Sequence, residues 1–211
     1  MQLLILGTGL FAEEVADLAR EIPGVTVAGF VVNLEPPTAG ATFEGAPVYW
    51  VGDLAPLADT HVVVCAIGST KRARFTSQVE AQGMRFVVLV HPTARVSPTA
   101  VLGPGTVVSA GVIVASHTHL GAHVIVNRGT LIGHHTSIGD FVTIGPGANV
   151  AGAVVVESGA YLAMSCVVLD RMTIGTDAVV GAGAVVTKPV AAHTQVIGVP
   201  ARVVRTGIEG R

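Results

Sequence analysis

Charge is scarce in this chain. Only 12% of its 211 residues are Asp, Glu, Lys or Arg, and the formal net charge is −2. No basic surplus is available for a phosphate backbone and no basic amphipathic stretch for a bilayer surface, so nucleic-acid binding and membrane-surface attachment are excluded as organising functions. Cysteine is equally sparse. Cys65 and Cys166 stand far apart at positions whose pattern is apolar, which excludes a disulfide framework; they read as small core residues compatible with a reducing cytoplasm. No run of 18 apolar residues offers a membrane span. The opening MQLLILGTGL lacks the positive segment and long apolar core of a secretory signal, so a cytoplasmic location is expected. What abounds is apolar surface, 50% of residues with a mean hydropathy of +0.66, more than a monomer of this size hides. An oligomer is expected.

The dominant feature is a six-residue period. Stepping by six from Val96 through Leu102, Val108 and Val114 to Val186 meets only Leu, Ile or Val at sixteen positions, which chance would give about once in 10⁸ trials. Four residues after each aliphatic stands a second restricted slot, mostly small or β-branched, running from Ala100 and Thr106 to Ala184. Six fits neither a helical face nor a simple alternating strand. It fits a short strand and a tight corner, three of which close one triangular coil of about eighteen residues, stacked in parallel with aliphatics inside. Glycines at 103, 121, 133, 139, 145, 175 and 181 follow the aliphatic directly, and are read as corners needing unusual backbone angles. The expectation is a parallel β-helix of about five coils.

The first 91 residues read differently. Buried strands are expected over 3–6, 25–32, 48–51, 61–67 and 85–90, with helices over 11–20 and 71–82 and a Pro/Gly loop over 35–40. Alternating strands and helices predict a small parallel sheet covered on both faces. His91-Pro92 marks the change of period, which gives domains 1–91 and 92–190 and a tail 191–211. Gly7-Thr8-Gly9 is half of a dinucleotide fingerprint; Ala12 replaces the third glycine and Asn33 stands where an acidic residue would hold ribose, which argues against NAD. The carboxyl ends of the strands, carrying Gly7-Thr8-Gly9, Val32-Asn33 and Gly68-Ser69, remain the expected ligand edge.

Five of eight histidines fall within the repeat: His117, His119, His123, His134 and His135. None occupies an aliphatic slot, so most should point outward or toward a neighbouring subunit, and His119 and His123 read as solvated polar residues. Subtracting one coil puts His117 beneath His135, and His134 over Ser116 and under Gly152. His134 stands at a corner where its other neighbours are too small or apolar for acid–base work, and an imidazole, which titrates near neutrality, suits a general base there.

The repeat, the α/β region before it, the run Asn127-Arg128-Gly129-Thr130-Leu131-Ile132-Gly133-His134-His135, the following Ile138-Gly139-Asp140-Phe141 and the closing Gly198-Val199-Pro200-Ala201-Arg202 together resemble the bacterial hexapeptide-repeat sugar acyltransferases, typified by UDP-4-amino-sugar N-acetyltransferases and sialic acid O-acetyltransferases. The resemblance spans nearly the whole chain. It implies a small Rossmann-like α/β domain followed by a left-handed parallel β-helix, an exception to the usual right-handed crossover. It also implies a homotrimer with acetyl-CoA in the cleft between subunits. By the same resemblance His134 matches the catalytic histidine, with His135 beside it. Gly9, Leu10, Phe11, Asn33, Gly68 and Lys71 match the nucleotide-sugar site. Thr143, Met164 and Ala182 match the acetyl-CoA contacts, made largely through backbone, with Gly198 and Pro200 nearby. No metal is implied.

Two departures stand out. Where many relatives carry a carboxylate after the catalytic histidine, this chain has His135, so the orienting acceptor for His134 is either a backbone carbonyl or Asp140. Asn33 replaces an acidic residue, which leaves the base of the nucleotide open. The expected chemistry is direct acetyl transfer to the amine of a nucleotide-linked amino sugar, with His134 taking the proton and a backbone N–H from a neighbouring coil holding the oxyanion. Buried Cys166 is not expected to carry an acyl group. The alternatives are O-acetylation of a sugar hydroxyl, a zinc enzyme like the γ-type carbonic anhydrases with ligands from His117, His119, His123 and His135, and a binding module without turnover. Three rather than four residues separate His119 from His123, against the zinc reading.

Overall fold

The computed structural model describes residues 1–211. Its first part is a six-stranded sheet built from β1 (Gln2–Leu6), β2 (Thr26–Val32), β3 (Thr42–Phe43), β4 (Ala46–Trp50), β5 (His61–Cys65) and β6 (Arg85–Phe86), in spatial order β3-β4-β2-β1-β5-β6. All neighbours are parallel except the β3–β4 hairpin. Alternation along β1 explains the two covered faces. Leu3 and Ile5 pack with Ala12, Val15, Ala16 and Ala19 of α1 (Leu10–Arg20), whereas Leu4 and Leu6 pack with Phe75 and Val79 of α2 (Ala73–Glu80). The hairpin lay outside the sequence reading. Its turn, Glu44-Gly45, has both residues at positive φ, 50° and 75°, as a tight two-residue hairpin requires.

The strand expected over 85–90 splits in two. Arg85–Phe86 pairs with β5, but Leu89–Val90 pairs with Val107–Val108 and is the first rung of the helix. From there, strands of two residues repeat around a triangle, each bonded in parallel to the strand eighteen residues on, as in Val107↔Ile125, Leu131↔Asn149 and Ser137↔Val155. The chain is thus a Rossmann-like α/β domain followed by a left-handed parallel β-helix. The six-step aliphatics fill its interior; Leu120, Ile138, Ile144, Leu162, Val168 and Ile174 are fully buried. Threonines of the second slot are buried too, and each finds an acceptor in the coil above. Thr106 donates to the Gly121 carbonyl, Thr118 to Gly133, Thr130 to Gly145 and Thr136 to Ala151, at 2.9 to 3.1 Å.

The corner glycines need a different explanation from unusual backbone angles. Gly103, Gly121, Gly133, Gly139, Gly145, Gly175 and Gly181 all lie outside the positive-φ set. What they supply is close approach: a Cβ on Gly133 would meet the Ala151 carbonyl carbon and Gly152 nitrogen at 2.5 Å. The left-handed turn falls two residues later, at the third position after each aliphatic from Leu102 to Val180, where φ is 54–72° whether the residue is Gly105, His117, His123, His135 or Phe141.

After the last coil, Thr194–Ile197 joins Val179–Val180 in parallel and turns back into antiparallel Arg202–Thr206. The final residues then cross to the α/β domain, where the Arg211 carbonyl accepts from Thr70 N at 2.8 Å. No helix is long and apolar enough to cross a membrane.

Candidate active site

His134 and His135 sit at the corner joining Leu131–Ile132 to Ser137–Ile138, and both are exposed. The His134 ring lies against Gly152 of the next coil; any Cβ at that position would come within 2.8 Å of Cε1 and Nε2, so only glycine leaves room for it. His134 Nδ1 stands 3.1 Å from His135 Nδ1. The acceptors expected from sequence are engaged elsewhere or absent. Asp140 Oδ1 accepts from Ala122 N at 2.7 Å, and no backbone carbonyl bonds the His134 ring. His117 lies one coil below, its ring 4.9 Å from that of His135.

His123 is not a solvated residue. It is 4% exposed, stacked on Phe141 at 4.9 Å and met edge-on by Phe86 at 4.5 Å. Its left-handed backbone turns the ring back over Gly105, where any Cβ would collide with it. Nδ1 has no partner, and Nε2 stands 3.7 Å from Glu80 Oε1. Burial holds the His123 imidazole below its ordinary pKa, against the opposing pull of Glu80 and with a smaller push from Arg72. His123 is thereby withdrawn from His117 and His135, and no group of three His, Cys, Asp or Glu side chains converges within the chain to hold a metal ion.

Arg72 escaped the sequence reading. It is 2% exposed and has no carboxylate partner; its guanidinium donates to the His123 carbonyl at 2.6 and 3.2 Å, to the carbonyls of Ser69 and Val142 at 2.7 and 3.1 Å, and to Thr143 Oγ1 at 2.9 Å. Burial pulls its pKa down to about 10 and pushes the nearby Cys65 thiol up to about 11. Thr143, expected as an acetyl-CoA contact largely through its backbone, is 3% exposed with its hydroxyl committed to Arg72. Cys166 is fully buried, with its thiol pushed up to about 12, so it is no nucleophile.

The other expected donor-site residues share one edge. Met164 and Ala182 stand exposed on successive coils where the first sheet turns into the second, linked by Gly183 N donating to the Met164 carbonyl at 3.0 Å. Gly198 and Pro200 continue this edge, with the Gly198 carbonyl accepting from Val185 N at 3.0 Å. His134 belongs to the next edge of the prism, where the second sheet turns into the third.

At the carboxyl ends of β1 and β2 lies a cavity of about 640 Å³, lined by Gly7, Thr8, Asn33, Glu35, Phe43 and Phe75 among others. Asn33 Nδ2 donates to Gln78 Oε1 at 2.8 Å. Glu35, two residues beyond the expected acidic position, supplies the cavity's carboxylate. Gly9, Leu10 and Phe11 open α1 beside this cavity but do not line it, and Leu10 is 83% exposed. Gly68 lies on the loop after β5 and Lys71 in the short helical turn Thr70–Arg72 that follows, where its Nζ stands 3.9 Å from Glu209.

No family model matches the chain. A Schizosaccharomyces pombe protein named as a candidate acetyltransferase is 35% identical over 66 residues, and the chain spans about a third, 32%, of that relative's length. Solved structures match throughout. PerB of Caulobacter crescentus, crystallised with CoA and GDP-perosamine, is 31% identical, with 97% of this chain and 98% of that one covered at a TM-score of 0.88. The acetyltransferase domain of PglB from Neisseria gonorrhoeae, crystallised with acetyl coenzyme A, is 30% identical over 96% and 98% at 0.86. WeeI of Acinetobacter baumannii is 28% identical over 97% and 100% at 0.86.

Proposed function

The chain belongs to the bacterial hexapeptide-repeat sugar acetyltransferases, and from that footing we propose that it moves the acetyl group of acetyl-CoA to the amine of a nucleotide-linked amino sugar. His134 is the general base. The observation that carries this role is its exposed ring, engaged at Nδ1 by His135 and free of hydrogen bonds at Nε2. The neutral amine attacks the thioester carbonyl; Nε2 takes the proton from the nitrogen of the tetrahedral intermediate, whose oxyanion a backbone N–H holds, and CoA leaves as the thiolate.

Residues 1–91 bind the nucleotide sugar, with Asn33 in the cavity, Gly9, Leu10 and Phe11 beside it, and Gly68 and Lys71 on the segment after β5. Residues 92–190 bind acetyl-CoA along Met164 and Ala182, with Gly198 and Pro200 of the tail beside them. Because His134 and this strip lie on different edges of one prism, the site is completed by a second subunit. A homotrimer with three such clefts also covers exposed Val101, Ile113, Leu131 and Val155. Two buried, unpaired thiols fit a cytoplasmic enzyme.

The test is release of CoA thiol from acetyl-CoA with UDP-, dTDP- and GDP-linked 4-amino sugars. Turnover with one member is expected. Turnover only with sugars offering a hydroxyl would replace N- by O-acetylation, and acetyl-CoA binding without turnover would leave a binding module.

A further inference from the structure

The contact between His134 and His135 has a chemical consequence. Two Nδ1 atoms 3.1 Å apart share one proton: one ring donates and the other accepts. A base that accepts at Nε2 carries its own hydrogen on Nδ1. His135 then accepts at Nδ1, is neutral, and holds its hydrogen on Nε2. A charged His135 would set two donors against each other and break the contact.

We propose that His135 is the hydrogen-bond acceptor that fixes His134 in its Nδ1–H tautomer, and that His117 is the positioning residue that holds His135 in this orientation. The inference rests on His134 being the base. His117 and His135 occupy equivalent left-handed positions one coil apart, with φ of 56° and 55°, so both side chains leave the same edge in the same direction. Their rings lie 4.9 Å apart and tilted by 42°. Thr99 Oγ1 accepts from His117 N at 3.0 Å and the Ser116 carbonyl accepts from His135 N at 2.9 Å, which fixes both backbones. With the His117 ring against one face, rotation of His135 that would carry Nδ1 away from His134 is opposed. No carboxylate takes part, since Asp140 is held by Ala122 N. An imidazole in this place differs from a carboxylate in one respect: it selects the tautomer as any acceptor does, but brings no negative charge to stabilise the imidazolium that forms.

The direct test is ¹⁵N NMR of the histidine rings in the full-length protein at about pH 8, where imidazoles are neutral. His134 is expected as the Nδ1–H tautomer, with His135 as Nε2–H. In His135→Leu the His134 signal should revert toward the Nε2–H form, with kcat down roughly tenfold to a hundredfold and KM for acetyl-CoA within about twofold. His135→Asn, whose amide oxygen accepts and whose backbone tolerates the left-handed turn, should restore most of kcat. His117→Ala should show a smaller kcat loss with a mixed His134 tautomer, and His117→Phe, which keeps the ring contact, should not. An unchanged His134 tautomer in His135→Leu, or equal kcat in the Leu and Asn variants, would overturn the assignment of His135; an unchanged tautomer in His117→Ala would remove His117. His134→Ala separates the premise from the inference: if that variant turns over like the wild type, His134 is not the base and both fall, whereas an inactive His134→Ala beside an unaffected His135→Leu sinks the inference alone.

Discussion

Arg72 donates two hydrogen bonds to the backbone carbonyl of His123, so the short helical turn that precedes α2 is plugged into the wall of the β-helix by a buried cation without a counterion. Its stability contribution comes from satisfying acceptors that water cannot reach. Arg72→Met would strand the carbonyls of Ser69 and His123 and the hydroxyl of Thr143 together, while the Val142 carbonyl keeps its bond from Ile125 N. With roughly 1–3 kcal/mol for each unsatisfied group and partial relaxation, a loss of about 3–5 kcal/mol is expected. Calorimetry should show Tm lower by roughly 10 °C, with Arg72→Lys falling between, since three donors on a flexible stem cannot reproduce the planar fork. A Tm within about 2 °C of wild type would mean that the two domains are held by their apolar contact alone.

The same junction predicts an acid sensitivity. Burial lowers the His123 pKa in the folded chain, so below the unfolded value of about 6.5 the unfolded state binds more protons than the folded one. Stability therefore rises with pH through the window beneath that value and is lost as pH falls from it toward the folded pKa. Facing groups are Glu80, which opposes the shift, Arg72, which adds to it, and Asp140. His123→Asn keeps a residue tolerant of positive φ but removes the titration. It should lower Tm at neutral pH through lost packing, and flatten the decline of Tm between pH 7 and 5. An equally steep decline in the variant would move the acid sensitivity to another group.

Parts of this arrangement were legible in the sequence and parts were not, for reasons that differ by residue. The aliphatics from Val96 to Val186 carry the coil register because burial at a fixed spacing is a property of the repeat itself. The stacking of His117 under His135, and of His134 against Gly152, follows from subtracting eighteen. The fate of His123 does not, because the position it shares with His117 and His135 sets a backbone conformation, not an exposure. What covers it from the α/β domain is Phe86 and Glu80 at the end of α2, and the repeat encodes neither. Arg72 and Thr143 were hidden for the same reason: their pairing joins residues 71 positions apart across two different periodicities. Glu35 went unread as a cavity residue because the acidic position was sought at the strand end and it stands two residues further on.

The corner glycines give a prediction that separates two kinds of glycine. A Cβ on Gly103 would meet the Gly121 carbonyl carbon and oxygen at 2.5 Å, backbone that cannot turn aside. Gly103→Ala is expected to destabilise by about 1–3 kcal/mol by forcing two coils apart. Gly129, with φ of 68° and nothing within 4 Å of its Cβ position, is constrained by angle only. Gly129→Asn should cost less than about 1 kcal/mol, since Asn visits the left-handed region. Denaturant titrations of the two variants would decide it, and the reverse ranking would make backbone angle, not coil spacing, the governing demand.

The proposed division of the site between two edges makes the acetyl-CoA strip separable from the base. Ala182 is exposed and lies directly above Met164, so a glutamate there has room to stand without disturbing the buried aliphatics. Its charge would face the phosphates of CoA in a cleft where screening is incomplete. Ala182→Glu should therefore raise the Kd for acetyl-CoA at least tenfold by calorimetry, leave Tm within about 2 °C, and recover much of its kcat at saturating donor. His134→Ala should do the opposite, lowering kcat by roughly 10²- to 10⁴-fold with the acetyl-CoA Kd nearly unchanged. In the proposed trimer each active site draws the two residues from different subunits, so mixing the variants adds a third readout. A trimer holding both kinds of subunit contains some clefts in which an intact Ala182 edge faces an intact His134, so activity should reappear on mixing and subunit exchange. The assay is run at acetyl-CoA well below the raised Kd of Ala182→Glu, where both components are slow; if the mixture stays as slow as its components after exchange is verified, base and donor strip lie in the same chain's site and the shared-cleft arrangement is wrong.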